Sequence, residues 1–413
     1  MSVEKITVVG GFYGEQCSFP PREIYRGSGG RAASILRGLG CPVDLVTSLG
    51  PGLKPIATDI SERRGFNLVA TDKARDIWFH YSHPLAVPSI SSHETVVHQK
   101  LDPIYADRIL VFGMLEGRNP IHAKQAVYDP QDGNAAKAFC ADGSTAEELA
   151  LVVSYSEGAA LSKKTAPEDI VDLLLKEPNV VAVVLKCGPQ GALVATHADR
   201  SWIRAFPTKR VYKIGSGDVF SAAFAYAWLC KRQPPILAAW LASQVVASYV
   251  ESGNDALEGV DVEHLWQKAQ ETHRSCAGVG PKPIPDTQIY LAGPFFTTGQ
   301  RWLVDEARSA LREMGFNVFS PIHDVGMGSF NEVVQLDLQA LERSGLILAL
   351  ADGMDPGTLY EIGYARARGI PVVVVAESSK ESDLTMMLGT DCSVFNDFAT
   401  GIYYTCWKLM GDV

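Results

Sequence analysis

Short runs of β-branched and other apolar residues alternate along the chain with segments whose apolar residues recur at helical spacing. Residues 6–9, 45–47, 109–112, 151–153 and 180–185 read as strands, and 31–39, 146–150, 167–175 and 217–230 read as helices. Such alternation predicts a mainly parallel sheet covered on both faces by helices. The stretch 78–98, rich in Ser, His, Thr and Val, reads as a small lid or β excursion.

A helical pattern over 264–272 gives way to a stretch crowded with Gly and Pro, where periodicity is lost. This is the expected linker, 274–286, between domains at 1–273 and 287–413. A second series then begins: strands at 289–292, 317–320, 346–350 and 371–375, and helices at 300–314, 331–344 and 357–368. It predicts a doubly wound, flavodoxin-like α/β domain.

The length of 413 residues fits two or three domains at roughly 100–200 residues each. A hydrophobic content of 46% and a charged content of 20% belong to an ordinary globular chain. The net charge of −10 argues against a protein that coats a nucleic-acid polymer, though not against a small anionic substrate. The eight cysteines include no C-x-x-C pair and read as free thiols in a reducing compartment, with no structural metal site. The first residues run straight into a strand-like segment, unlike a signal peptide. The longest apolar segment, 236–250, is broken by Ser and Gln and falls short of the roughly 18 residues that span a bilayer. A cytoplasmic protein without a membrane partner is expected.

Ligands in open parallel sheets bind beyond the carboxyl ends of the strands. Three loops of the second series leave strands at that edge: Tyr290-Leu-Ala-Gly-Pro-Phe-Phe296, Ser320-Pro-Ile-His-Asp-Val-Gly326, and Asp352-Gly-Met-Asp-Pro-Gly-Thr-Leu-Tyr-Glu-Ile-Gly-Tyr364. In the third, Asp355-Pro-Gly starts a helix with Glu361 about one turn inside, where the helix dipole is expected to keep a carboxylate ionised. Asp337 adds a third acid within an otherwise apolar helical stretch. Breaking an N-glycosidic bond needs a carboxylate for the sugar and an acid for the departing base, and these residues supply both types. A dipole-complementing Glu, an ordinary turn and a solvated Asp would give the same spacing.

The three loops together resemble the nucleoside 2-deoxyribosyltransferase family. The resemblance implies that Glu361 is a nucleophile forming a glycosyl-enzyme intermediate and that Tyr290 orients it. Asp337 and Asp355 would hold the nucleobase and assist its protonation, with no cofactor. It places Gly293, Pro294, Phe295, His323, Gly357 and Met386 at the substrate. It also implies a homo-oligomer whose segment 383–389 completes a neighbour's pocket. Leu384 stands where the family has an Asn for the sugar 5′ end.

In the first series, Gly215-Ser-Gly-Asp218 opens a helix with an acid in its first turn, a place for phosphate on free N–H groups and for a base beside it. Ser28-Gly-Gly-Arg31 is Gly-rich at a helix start, 185–193 reads as strand, tight turn and strand, and Glu157 follows a buried strand. In this order the segments resemble the ribokinase-like (PfkB) sugar and nucleoside kinases, an α/β/α sandwich. The resemblance implies Asp218 as base, with Gly215, Ser216 and Gly217 as anion hole. Gly188 and Gly191 would lie near ATP, Glu157 would assist Mg²⁺ through water, and Gly29, Gly30 and Glu15 would lie at the sugar. The pattern departs at Glu15 (family Asp), Ser34 and Ser154 (family Asn) and Tyr212-Lys213 (family Asp-Thr).

The expected protein is therefore a fusion acting on small nucleosides, nucleotides or sugars, cleaving or exchanging the glycosidic bond in its C-terminal domain. Two alternatives stand beside it: a nucleotide-depleting glycosidase gated by a ligand-binding pseudo-kinase, and a non-catalytic regulatory protein.

Overall fold

The computed structural model describes residues 4–91, 102–117, 119–254, 257–276, 280, 282–326 and 328–413. It has two compact units. One holds Met1–Thr208 and Tyr212–Pro281, the other Lys209–Val211 and Lys282–Val413.

Among the described residues, the main sheet of the N-terminal unit has nine strands. In chain order its elements are β1 (Ile6–Val9), α1 (Gly27–Gly38), β4 (Val43–Leu49), α2 (Leu53–Arg64), β5 (Asn67–Asp72), β8 (Ile104–Phe112), β9 (Ile121–Asp129), β10 (Thr145–Ser154), α3 (Tyr155–Ser162), α4 (Pro167–Leu174), β11 (Val180–Lys186), β12 (Ala192–Thr196) and β13 (Arg200–Ile203). The strand order is β13-β12-β11-β10-β9-β8-β1-β4-β5. Pairing is parallel from β11 to β5 and antiparallel across β11, β12 and β13. The helices α5 (Ser216–Ala225), α6 (Pro235–Ser252) and α7 (Val262–Cys276) follow. A π-helical turn, Tyr226–Cys230, continues α5. Both faces of the sheet are apolar: Val8, Leu110 and Val184 join one core, Val9, Val111 and Val183 the other.

A second sheet, β3-β2-β6-β7, is built from β2 (Gly14–Cys17), β3 (Arg22–Tyr25), β6 (Trp78–Tyr81) and β7 (Ser89–Ser91). It contains the start of the expected excursion at 78–98; residues 92–98 lie outside the described residues.

One expectation is corrected here. Residues 146–150 are not a helix but the first half of β10, paired in parallel with β9 and β11. Ala and Glu favour helix locally, but ladder pairing on both sides overrides that preference. In the expected linker, α7 runs on to Cys276, and residues 277–279 and 281 lie outside the described residues.

The C-terminal unit comprises β14 (Gln288–Ala292), α8 (Thr298–Glu313), β15 (Asn317–Phe319), α9 (Pro321–Asp324), α10 (Phe330–Glu342), β16 (Leu346–Leu350), α11 (Pro356–Ala367), β17 (Val372–Val375), α12 (Thr385–Leu388), β18 (Ser393–Phe395) and α13 (Phe398–Met410). Its sheet is wholly parallel among the described residues, in the order β15-β14-β16-β17-β18. This is the doubly wound, flavodoxin-like order. β16 and β17 are buried along their whole length, as strands with helices on both faces must be. The chain leaves β14 for β15 on one side and reaches β16 on the other. In open α/β sheets ligands bind beyond such a switch point, here at the carboxyl ends of β14 and β16, where the loops after Ala292 and Leu350 begin.

Candidate functional site

In the C-terminal unit β14 holds Tyr290 fully buried, its ring stacked on Phe319 with centroids 5.5 Å apart. Its hydroxyl donates to Oε1 of Glu361 at 2.5 Å. Oε2 of Glu361 makes no hydrogen bond among the described residues. Glu361 is the sixth residue of α11, beyond the first turn, and the field of a helix terminus fades within that turn. The expectation that the dipole keeps this carboxyl ionised is therefore overturned. Burial dominates and pushes Glu361 up to about 7; the Tyr290 bond pulls it down, while Asp337 and Asp355 push it further up.

The two other acids differ. Asp337, on α10, is half-buried, with Oδ1 enclosed and without a hydrogen-bond partner among the described residues. Burial pushes its carboxyl up to about 6. Asp355 caps α11: its Oδ2 accepts from the backbone N–H of Thr358 at 2.8 Å and from the Thr358 hydroxyl at 3.0 Å. Asp337 thus stands without a hydrogen-bond partner on Oδ1 among the described residues, whereas Asp355 is tied to the helix start through Oδ2.

Gly293 follows β14 close to Leu350, Pro294 is buried and Phe295 half-buried against Phe296. Gly357 is the second residue of α11, beside the capping carboxylate. His323 has both ring nitrogens engaged, Nδ1 with the Ser320 hydroxyl at 3.0 Å and Nε2 with Asp305 at 2.8 Å. Met386 projects from α12 with 76% of its surface exposed, whereas Leu384 is buried.

In the N-terminal unit the structure brings together residues that sequence reasoning left apart. Arg31 of α1 is 1% exposed. One end of its guanidinium pairs with Glu15, and Nη1 pairs with Oδ2 of Asp218 at 2.6 Å. Oδ1 of Asp218 accepts from Gln131 Nε2 at 2.5 Å. Burial works against the Arg31 charge, but Glu15 and Asp218 outweigh it and hold the group well above its ordinary value. Both oxygens of the expected base are therefore engaged, and the acid expected at the sugar faces an arginine. The partners lie 16 and 187 residues from Arg31 in sequence. The available signal was the charge itself, set between Gly-Gly and Ala-Ala at a helix start.

Gly29 and Gly30 pack inside the fold. A Cβ on Gly29 would lie 2.5 Å from the Gly10 carbonyl oxygen, and one on Gly30 2.6 Å from the Phe12 ring. Gly215 caps α5 at φ +79°, and a Cβ there would meet Arg31 Nε at 2.2 Å. Beyond it, Lys213 Nζ donates to the Ser216 hydroxyl at 3.0 Å, and Lys186 Nζ approaches Gly217. Burial, then the neighbouring Lys186, lowers Lys213. Lys186 pairs with Asp129 at 2.7 Å, and Ser221 donates to the same Asp129 oxygen at 2.6 Å. Burial nonetheless pushes Asp129 up to about 6. Gly188 and Gly191 flank the turn between β11 and β12.

Two ammonium groups at a helix N-terminus suit the phosphates of a nucleotide such as ATP. The donors fit Mg²⁺ less well. Asp129 is paired with Lys186, and Glu157 closes a capping box, its Oε2 accepting from Ser154 N–H at 2.7 Å. No group of three or more His, Cys, Asp or Glu is placed to hold a metal among the described residues. Nor is any helix among them long and apolar enough to cross a membrane.

Residues 289–397 match the family model of nucleoside 2-deoxyribosyltransferase, and 146–253 match that of the pfkB family carbohydrate kinases. A kinase-like domain precedes a nucleoside deoxyribosyltransferase domain. Similar solved structures include the tetrameric inhibited form of phosphofructokinase-2 from Escherichia coli, at 13% identity and a TM-score of 0.46, covering 65% of this chain and 99% of that one. The Methanocaldococcus jannaschii nucleoside kinase, an archaeal member of the ribokinase family, has 14% identity and a TM-score of 0.49, covering 65% and 98%. No curated protein sequence matches the chain.

Proposed function

We propose that the C-terminal unit breaks the N-glycosidic bond of a nucleoside or nucleotide, with Glu361 as nucleophile. The observation that carries this is a carboxylate fixed through one oxygen by Tyr290, its other oxygen unengaged, beside the unpartnered carboxyl of Asp337. Glu361 Oε2 attacks the anomeric carbon, the bond from that carbon to the base nitrogen breaks, and Asp337 gives its proton to the departing base. Water or a second base then opens the glycosyl-enzyme, and Asp337 takes a proton back. The unengaged Oδ1 of Asp355 and the Pro294–Phe295 turn complete the contacts. The exposed Met386 suits a place in the pocket of a second copy. The test is chromatography of a nucleoside and nucleotide panel for released base, with and without an acceptor base. Wild-type release, abolished in Glu361→Gln, supports the reading; equal release by both removes Glu361 from the reaction.

A second reading concerns the N-terminal unit. We infer that it binds a phosphate-bearing ligand while Asp218 does not act as a base. Arg31 and Gln131 each donate to one oxygen of that carboxylate, which ties both oxygens to the protein. ATP consumption over a sugar and nucleoside panel with Mg²⁺ tests this. A phosphorylated product that disappears in Asp218→Asn contradicts it.

A further inference from the structure

Two of the eight cysteines meet across the N-terminal unit. Cys41 follows α1 and precedes β4; Cys230 ends the π-helical turn that continues α5. They are 189 residues apart in sequence, yet their Sγ atoms lie 3.2 Å apart as free thiols. The contact is fixed on both sides. Both sulfurs turn to the Glu4 carbonyl oxygen, Cys230 at 3.0 Å and Cys41 at 3.4 Å. Arg37 Nη1 donates to the Cys41 carbonyl at 3.0 Å. Cys41 is fully buried, while Cys230 is partly exposed.

We propose that Cys41 and Cys230 form a dithiol that closes reversibly to a disulfide, a covalent tie between the β4 end of the sheet and the far end of α5. Closing the bond asks the sulfurs to approach by roughly 1 Å. The oxidant is a low-molecular-weight disulfide. The accessible sulfur, Cys230, attacks it as a thiolate and forms a mixed disulfide, releasing one small thiolate. The Cys41 thiolate then attacks the Cys230 sulfur, the protein S–S bond forms, and the second small thiolate leaves. Two protein thiols lose two electrons and two protons, and one small disulfide becomes two thiols.

The surroundings favour this exchange. The hydrogen bond from Cys230, with Arg37 and Lys231 nearby, holds Cys41 below its ordinary value, and the same bond holds Cys230 above its own. Loss of one proton from the pair leaves a thiolate that the neighbouring thiol stabilises by hydrogen bonding. Cys140, exposed and without a cysteine partner among the described residues, provides an internal contrast: it should stop at the mixed disulfide.

The full-length protein is incubated with oxidised glutathione, alkylated under denaturing conditions and digested. The expected result is a cross-linked peptide pair containing Cys41 and Cys230, with two fewer alkylated thiols, reversed by dithiothreitol. Cys230→Ser should leave Cys41 alkylated. A glutathione adduct that persists on Cys230 with Cys41 still alkylated overturns the proposal. So does cross-linking of either cysteine to any other partner. The wild-type digest decides the matter even if the variant folds poorly.

Discussion

The Tyr290 hydroxyl donates to Oε1 of Glu361 at 2.5 Å from a fully buried position in β14, the first strand of the C-terminal unit. That bond orients the carboxylate, leaves Oε2 unengaged, and opposes the burial that pushes Glu361 towards its neutral form. Removing the hydroxyl should raise the Glu361 value further. Tyr290→Phe is therefore expected to move the alkaline limb of the kcat/KM profile to higher pH and to lower base release about 10–100-fold near pH 7. An unmoved limb would show that the phenol only packs.

The wild-type profile itself should be bell-shaped, with apparent values near 6 and 7 belonging to the Glu361–Asp337 pair. Glu361 must lose its proton to attack and Asp337 must keep its proton to give it to the base, so the active form is the minor one with Glu361 ionised and Asp337 protonated; activity rises through the lower apparent value and falls above the upper one. Asp337→Asn should flatten the alkaline limb and cost roughly 100-fold for bases that leave as poor anions.

Glu361 also couples stability to pH. Its folded value of about 7 lies above the ordinary carboxylate range, so the folded state binds more protons than the unfolded chain between these values. Its contribution is most favourable at low pH and is lost as pH rises through about 7. Glu361→Gln should consequently stabilise the C-terminal unit at pH 8 by about 2 kcal/mol and change it little at pH 5. Thermal unfolding at the two pH values checks the difference.

In the N-terminal unit Arg31 carries a buried charge compensated by Glu15 and Asp218. Asp218→Asn removes half of that compensation and should cost about 3 kcal/mol of stability, while base release from the C-terminal unit persists. Unfolding and release are measured on the same preparation. Little change in the denaturation midpoint would deny the triad its structural role.

Some of this was legible in the chain and some was not. The apolar runs at 346–350 and 372–375 are buried on both faces, and hydrophobicity alone marks them. β10 misled because Thr145-Ala-Glu-Glu-Leu-Ala150 favours helix locally, while its β9 and β11 partners come from distant sequence. The loops carrying Tyr290, Asp355 and Glu361 stood out as motifs, and Asp337 as an acid in an otherwise apolar helical stretch. The electrostatics of Glu361 did not: spacing suggested a helix dipole, whereas burial against Tyr290 and two acids sets its proton affinity. Asp355 read as a site acid, and its capping bond to Thr358 becomes visible only with the backbone in place. The Arg31 triad and the Cys41–Cys230 contact join residues up to 189 positions apart, beyond the reach of any local pattern.

The central claim is that Glu361 forms a covalent bond to the sugar. Acid quenching during turnover of a 2′-deoxynucleoside, followed by peptide mass spectrometry, tests it most directly. The account predicts one deoxyribosyl unit on the peptide containing Glu361, absent in Glu361→Gln. Rapid base release with that peptide unmodified and Glu361→Gln fully active would contradict it.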